Sequence, residues 1–247
     1  MTKQRETRDS VLELIEPLDV GASIPSERQL SVDLGVSRLT VRAALDELVR
    51  EGYLVRRRGS GTFVAEPKVA KGMDASSFTD DMRARGLTPA SRTIELRVIP
   101  AGARLGRMLH VSPSEPIVQA KRLRLADGEP MAIELLHVRA SLVPGLTAAD
   151  LEENSFYELL LDRYGIQIAG GTQTVEPTVT NDEESAALGV PLHSPALLFE
   201  RITHEGSGDV IEFTNSTYRG DRYRLETELG LGGRPAQPLE IAPVALR

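Results

Sequence analysis

The sequence predicts an α+β protein in two parts: a small helical head closed by a β-hairpin, and a larger domain of strands and helices around a mainly antiparallel sheet. Three observations carry this. Residues 24–64 hold two apolar-periodic segments joined by a tight turn and followed by a glycine-tipped hairpin. Two apolar runs, 116–125 and 130–138, flank Ala126-Asp127-Gly128-Glu129, a strong hairpin signal. The chain has 247 residues, too many for the head by itself. About 170 residues are left for a second core.

The head reads in order. A first helix is expected from about Arg5 to Glu16, then a connection Asp19-Val20-Gly21-Ala22-Ser23. Ser26 stands three residues before Gln29, the spacing of a capping box, and the helix it opens stops at Gly35. Ser37 is a second N-cap. From Arg38 to about Glu51, Val41, Ala44, Leu45, Leu48 and Val49 recur at helical spacing, and Gly52 ends the helix. Tyr53-Leu54-Val55-Arg56-Arg57-Arg58 then rises to the tip Gly59-Ser60-Gly61 and returns as Thr62-Phe63-Val64. Two helices about a tight turn followed by such a hairpin make a winged helix-turn-helix over residues 1–65.

That arrangement suits duplex DNA. The first turn of the second helix of the pair enters the major groove, where side chains meet base edges and free N–H groups face phosphate. Arg38 and Arg42 lie four apart on one face with Thr40 between them. Arginine can grip guanine O6 and N7 with two parallel donors, and threonine serves a base edge or a phosphate. Arg28 lies nearby on the preceding helix, and Ser37, Arg58, Ser60 and Gly61 complete the candidate contacts as cap and wing. The bland alternative is a helical bundle with a solvated charge run, but five concordant features in order outweigh it. Gly59-Ser60-Gly61-Thr62 is not a phosphate loop, because it lacks the lysine and precedes a strand.

Residues 66–75 are expected to be a linker, polar with Pro and Gly. The second domain is expected over residues 76–228. It opens with a capped helix from Ser76-Ser77 to about Arg85, then a strand from Arg92 to Ile99 and a helix near Ala103 to Leu109. After the hairpin come a helix from Ser155 to Tyr164, a strand over Gln173 to Val179 and a helix from Asp182 to Leu188. Strands at 196–204 and 210–218 close the domain, and residues 229–247, rich in Gly and Pro, read as a loose tail.

Composition excludes several functions. With no cysteine there is no disulfide, thiolate metal site or cysteine nucleophile, which suits a cytoplasmic protein. No apolar run of about 18 residues suggests a membrane span, and the N-terminus is too polar for a signal peptide. The net charge of −7 lies in residues 71–247, whereas residues 1–70 balance at 11 basic and 11 acidic. Within 38–58, six arginines face three acids. A local basic footprint on an acidic chain favours specific operator binding over indiscriminate coating of nucleic acid.

The head resembles the DNA-binding domain of the GntR family of bacterial transcription regulators. The resemblance rests on Pro25-Ser26-Glu27-Arg28, Ser37-Arg38-Leu39-Thr40-Val41-Arg42, Ala44-Leu45, Leu48, Glu51-Gly52 and Gly59-Ser60-Gly61-Thr62-Phe63-Val64. It implies that Arg28, Arg38, Thr40, Arg42 and Gly61 touch DNA. The connection Asp19–Ser23 departs from the family in lacking its proline-glycine turn. The rest of the chain resembles the effector domain of the HutC subfamily (the UTRA domain), whose fold is that of chorismate lyase. Ser77-Phe78-Thr79-Asp80-Asp81-Met82, Arg85-Gly86, Arg122 to Glu134, Ser155-Phe156-Tyr157 and Tyr218 to Tyr223 carry it. Within that subfamily these motifs look most like the members that sense N-acetylglucosamine 6-phosphate or glucosamine 6-phosphate.

The residues themselves support an anion site. Arg122 and Arg124, two apart on a strand, project from one face and can share a phosphate. Thr79, near a helix start beside Phe78, and Ser155, an N-cap, can add donors. Glu134 and Glu212 are acceptors for sugar hydroxyls, Tyr218 can stack on or bond the sugar, and Tyr157 is either a contact or a helix packing residue. Against this, the two arginines could be a solvated strand face paired with Glu134 and Glu212, and Tyr218 to Tyr223 could simply tie a strand to the core. The same scaffold also serves other small acids and sugars. A lyase-like enzyme with an accessory DNA-binding head is the reading from another class. His110, His137, His193 and His204 lack metal-ligand spacing, no G-x-S-x-G occurs, and Glu183-Glu184 fit a helix's first turn. An architectural DNA protein without ligand is a third, and fits poorly with so large an acidic domain. The expectation is therefore a non-enzymatic repressor without cofactor or metal. It would act as a homodimer on double-stranded operator DNA, answer to a small effector and have no membrane association.

Overall fold

In the computed structural model, residues 3–57, 59–65, 69–71, 77–153 and 155–225 are described. The head is built as its pattern requires. Helix α1 (Lys3–Ile15) buries Val11 and Ile15 against α3, so the unusual connection after it leaves its packing intact. Helix α2 (Glu27–Asp33) begins at Ser26, whose Oγ accepts from the Gln29 backbone N–H at 3.2 Å. The expected capping box is half made: the Gln29 side chain donates to Asp33 at 2.7 Å instead of turning back. Helix α3 (Arg38–Glu51) is capped by Ser37 and ends at Gly52. Its Val41, Leu45 and Leu48 pack with Val11 and Leu30 into one core, each buried leucine contributing about 1.5–3 kcal/mol.

Strands β1 (Leu54–Arg57) and β2 (Gly61–Val64) form the antiparallel wing, with Leu54 opposite Val64 and Arg57 opposite Gly61. The Asp19–Ser23 connection gives the wing a third rung: Val64 N–H donates to Ala22 at 2.9 Å and Ile24 N–H to Thr62 at 3.0 Å. Backbone pairing thus does the work of a turn motif there. Arg58 lies outside the described residues.

The expected linker contains a strand. Residues Val69–Lys71 form β3, paired in parallel with β10 (Tyr223–Leu225) at the far end of the second domain. Three residues are too few to show periodicity, and their partner lies far along the chain. The expected loose tail begins beyond the described residues.

The second domain is a six-stranded antiparallel sheet flanked by short helices. In chain order, α4 (Phe78–Ala84) precedes β4 (Pro89–Pro100), and α5 (Gly102–Met108) leads to the β5 (Pro116–Ala126) and β6 (Glu129–Arg139) hairpin. Asp127 and Gly128 both adopt positive φ at its turn, 50° and 80°, as a tight hairpin demands. Then come α6 (Ala148–Glu153), α7 (Phe156–Tyr164), β7 (Ile168–Val179), α8 (Asp182–Leu188), β8 (Pro195–Glu205) and β9 (Val210–Arg219). The sheet order is β4-β5-β6-β9-β8-β7, so the returning β9 inserts beside β6. On one face α4, α6 and α7 cover Val118, Ala120, Leu136 and Phe199, and on the other α5 and α8 cover Ile117, Phe213, Leu123 and Ile133. Several elements depart from the expected pattern: β4 starts three residues earlier than Arg92, β7 starts five earlier than Gln173, and α6, a 3-10 turn at Ala140–Leu142 and β10 were not expected.

Candidate functional site

On the head, α3 presents its first turn to solvent. The Ser37 hydroxyl accepts the Thr40 backbone N–H at 3.1 Å and lies 2.8 Å from the Thr40 hydroxyl. Arg28, Arg38 and Arg42 are exposed, as are Ser60 and Gly61 at the wing tip. Gly61 sits at φ +121°, a backbone that disfavours any side chain and leaves the tip bare for close approach. Arg57 stacks over Phe63, 4.8 Å from the ring centre, and stiffens the wing. Leu39, passed over in the sequence because apolar residues in helices usually face a core, is 76% exposed beside Arg38. Arg42 is not loose: its Nε and Nη2 donate to Glu27 at 3.1 and 2.7 Å.

The second domain carries a cleft of about 490 Å³, its mouth included, between the sheet face and helices α4 and α7. The pleat sends alternate residues to one face, so Arg122 and Arg124 on β5, Glu134 on β6 and Glu212, Thr214, Ser216 and Tyr218 on β9 all line it. Phe78 and Ser77 close it from α4, and Phe156 and Tyr157 from α7. Seven of the nine expected effector residues therefore converge here. Thr79 and Ser155 do not line the cleft but stand behind its wall. Thr79 accepts from Arg124 Nη2 at 3.3 Å, and the Ser155 hydroxyl donates to the Ser77 hydroxyl at 3.1 Å. Gln173 on β7 and Phe199 and Arg201 on β8 were not expected, since only the strand order brings them across the sheet.

The arginines are not a solvated face. Arg122 is 3% and Arg124 2% exposed. Arg122 does pair with Glu134, Nε to Oε1 at 2.9 Å with Nη2 on the same oxygen, so that part of the bland reading holds. Burial works against the Glu134 charge, but Arg122 and Arg124 outweigh it and hold the carboxyl below its usual range. Arg124 is different. Its guanidinium lies 4.5 Å over the Phe78 ring, and its Nε and Nη1 have no hydrogen-bond partner among the described residues. Burial, reinforced by the neighbouring Arg122 charge, pulls its pKa from 12.5 to about 10. Two buried donors left open on a cation are costly unless an anion meets them.

A second network lies across the cleft. Tyr157 donates its hydroxyl to Glu212 at 2.6 Å, Arg201 Nη1 donates to Tyr157 at 3.3 Å, and Arg201 Nε and Nη2 donate to Gln173 at 2.9 and 2.7 Å. Burial pushes the Glu212 carboxyl up. Among the described residues, three guanidinium groups thus face two carboxylates in one buried space, an excess of positive charge.

The remaining candidates are structural. His137 is buried, its Nδ1 3.2 Å from the Phe213 carbonyl and its Nε2 2.9 Å from Gln119, and burial pulls its pKa to about 4. It is a neutral core histidine. His110 and His193 occupy exposed turns at positive φ, and His204 is half-buried on β8. Glu184 completes a capping box with Asn181 and accepts from Thr217 at 2.8 Å. Arg219 chelates Asp221 at 3.0 and 2.6 Å and also reaches the Pro130 and Leu188 carbonyls, while Tyr223 donates to Asp81 at 3.2 Å, so the Tyr218 to Tyr223 segment ties the strand end to the core. No helix of the described residues is long and apolar enough to cross a membrane.

Comparison with known proteins agrees with both halves. Residues 4–64 match the bacterial regulatory proteins of the gntR family, and residues 84–224 match the UTRA domain. The chain is 40% identical over 205 residues to the HTH-type transcriptional repressor NagR of Bacillus subtilis, covering 81% of this chain and 82% of that one. It is 30% identical over 220 residues to the repressor PhnF of Mycolicibacterium smegmatis, covering 89% of each. The crystal structure of PhnF superposes with a TM-score of 0.65 at 28% identity, over 92% of this chain and 100% of that one.

Proposed function

Because the chain belongs to the gntR family of bacterial regulatory proteins, in its HutC branch with a UTRA domain, it is a transcriptional repressor rather than an enzyme. From that premise we propose that its hold on operator DNA is set by a phosphorylated amino sugar seated in the cleft, N-acetylglucosamine 6-phosphate being the reference ligand. The observation that carries this is Arg124, a buried cation with two open donors beside Arg122. A phosphate placed there accepts both and neutralises the excess charge, and bidentate guanidinium geometry suits its oxygens. Glu134, Glu212 and Tyr157 supply acceptors and a hydroxyl for the sugar, while Phe78 and Tyr218 offer ring faces. The likeness to NagR supports the same choice.

On the DNA side, Arg38, Thr40 and Arg42 read the major groove and Leu39 touches a thymine methyl. Arg28, Ser37, Arg58 and Ser60 hold backbone, and Gly61 brings the wing to the minor groove. A cytoplasmic homodimer would set two such heads on a pseudo-palindromic site, and the effector would act through its different affinity for the two arrangements of the heads. Thermal unfolding with N-acetylglucosamine 6-phosphate, N-acetylglucosamine and glucose 6-phosphate tests the ligand. Ligand at 100 times its Kd should add about 2.7 kcal/mol and raise the midpoint. A rise with the amino-sugar phosphate that its unphosphorylated form does not give supports the assignment; no rise with any phosphate removes it.

A further inference from the structure

An acidic side chain beside the face of α3 that meets DNA is unexpected, because it repels phosphate. Glu27, the first residue of α2, occupies such a place. Its carboxylate takes Nε and Nη2 of Arg42, from Nε to Oε1 at 3.2 Å and to Oε2 at 3.1 Å, and from Nη2 to Oε2 at 2.7 Å. Arg56 of β1 reaches Glu27 from the other side at 3.5 Å and is itself anchored by Asp46 of α3. Four charged groups on α2, α3 and β1 therefore form one chain, Asp46–Arg56–Glu27–Arg42.

The geometry leaves one edge of Arg42 available. Glu27 occupies the side edge of the guanidinium, so the outward Nη1 and Nη2 hydrogens at its tip meet no partner among the described residues, and the Arg42 side chain is 58% exposed. That tip is the edge that fits guanine O6 and N7 together. Arg38, by contrast, has no hydrogen-bond or ion-pair partner among the described residues and reaches its target as a flexible side chain.

We infer that Glu27 is a positioning residue for sequence recognition: it holds Arg42 side-on so that the tip of the guanidinium reads a guanine. This rests on the reading of α3 as the helix in the groove. A held arginine loses less rotamer freedom on binding and tolerates fewer wrong bases, in the way supporting hydrogen bonds fix a functional side chain. The carboxylate also cancels one positive charge at the interface. Arg42 hydrogen bonds and the Arg56 charge keep Glu27 below the usual carboxylate range, so it stays ionised at any working pH.

The test is selection of binding sites from random duplex DNA by the full chain, with R42A, E27A and E27Q beside it. R42A should lose preference for one guanine in each half-site. E27A should lose preference at that same position while binding random DNA more tightly, with a log–log salt slope steeper by about 0.9, because one more arginine is free to meet phosphate. E27Q, which keeps one acceptor, should fall between. A merely structural Glu27 would instead weaken all sequences together, and thermal midpoints of the variants report any loss of fold. A guanine preference that R42A removes and E27A and E27Q keep overturns the inference and leaves the groove assignment standing. Selection of no sequence by the unaltered chain overturns both.

Discussion

Replacing Arg124 with methionine should make the ligand-free protein more stable while destroying its effector site. Arg124 is a base whose folded pKa, about 10, lies below its ordinary 12.5, so the penalty of burying its charge is fully present below pH 10 and disappears only as pH passes 12.5. That gap corresponds to about 3 kcal/mol against the folded state at pH 7. Two contacts offset part of it. The stacking on Phe78 at 4.5 Å contributes about 1–2 kcal/mol, and the long hydrogen bond to Thr79 adds little. Methionine fills much of the same volume and has no donor to satisfy, leaving R124M ahead by about 1–2 kcal/mol. At the size of this domain that is about 3–6 °C in the midpoint. Circular dichroism melts of both proteins at pH 7, with and without N-acetylglucosamine 6-phosphate, give the answer. The ligand should raise the unaltered midpoint and leave R124M unmoved. A ligand-free R124M that melts several degrees lower would show that Arg124 is satisfied within the fold and would refute the reasoning.

Arg122 should behave oppositely, since R122A leaves Glu134 buried without its partner at a cost of about 3–5 kcal/mol. The double variant R122M/E134L should recover most of that in urea titration and still give no ligand response; failure to recover would mean that the pair is not what the site loses. His137, with its pKa pulled from 6.5 to about 4, stays neutral in the fold while the unfolded chain takes a proton. Stability should therefore fall by up to about 1.4 kcal/mol per pH unit as pH drops from 6.5 to 4, about 3 kcal/mol in all. H137Q should lack that component, and an unchanged acid slope would contradict it. R38A should weaken operator binding by about 1–3 kcal/mol in gel-shift titration and leave the ligand-induced midpoint rise intact.

How much of this was legible depends on how local each signal is. The head was readable because its caps, turn glycine and apolar spacing act within four residues of one another, and Ser26, Ser37 and Gly52 fall where expected. The hairpin at Asp127-Gly128 was readable for the same reason. Arg122 and Arg124 share a strand, so their common face followed from the pleat. Arg201 and Gln173 did not, because they reach the cleft only through the order β6-β9-β8-β7, which no local pattern encodes. Helix α6 was within reach: Thr147 and Asp150 carry a capping signature, and Thr147 N–H does donate to Asp150 at 2.8 Å. The exposed Leu39 shows the reverse limit, an apolar residue with helical neighbours that has no core to enter. Glu27 was hidden for another reason, since its partner Arg42 lies on a different helix and the angle between the two is not written in either.

The parallel pairing of β3 with β10 also sets the length of a leash. With Val69–Lys71 fastened to the strand that follows the cleft, three residues separate it from Ala65, four Cα steps or about 14 Å at full extension. Without that pairing, eleven residues of chain would separate Ala65 from Ser77, and the same arithmetic gives about 40 Å. Neighbouring half-sites on a duplex lie about 34 Å apart along its axis. Those three paired residues therefore cut the longest possible separation of head and sensing domain along the chain from more than one half-site spacing to less than half of one.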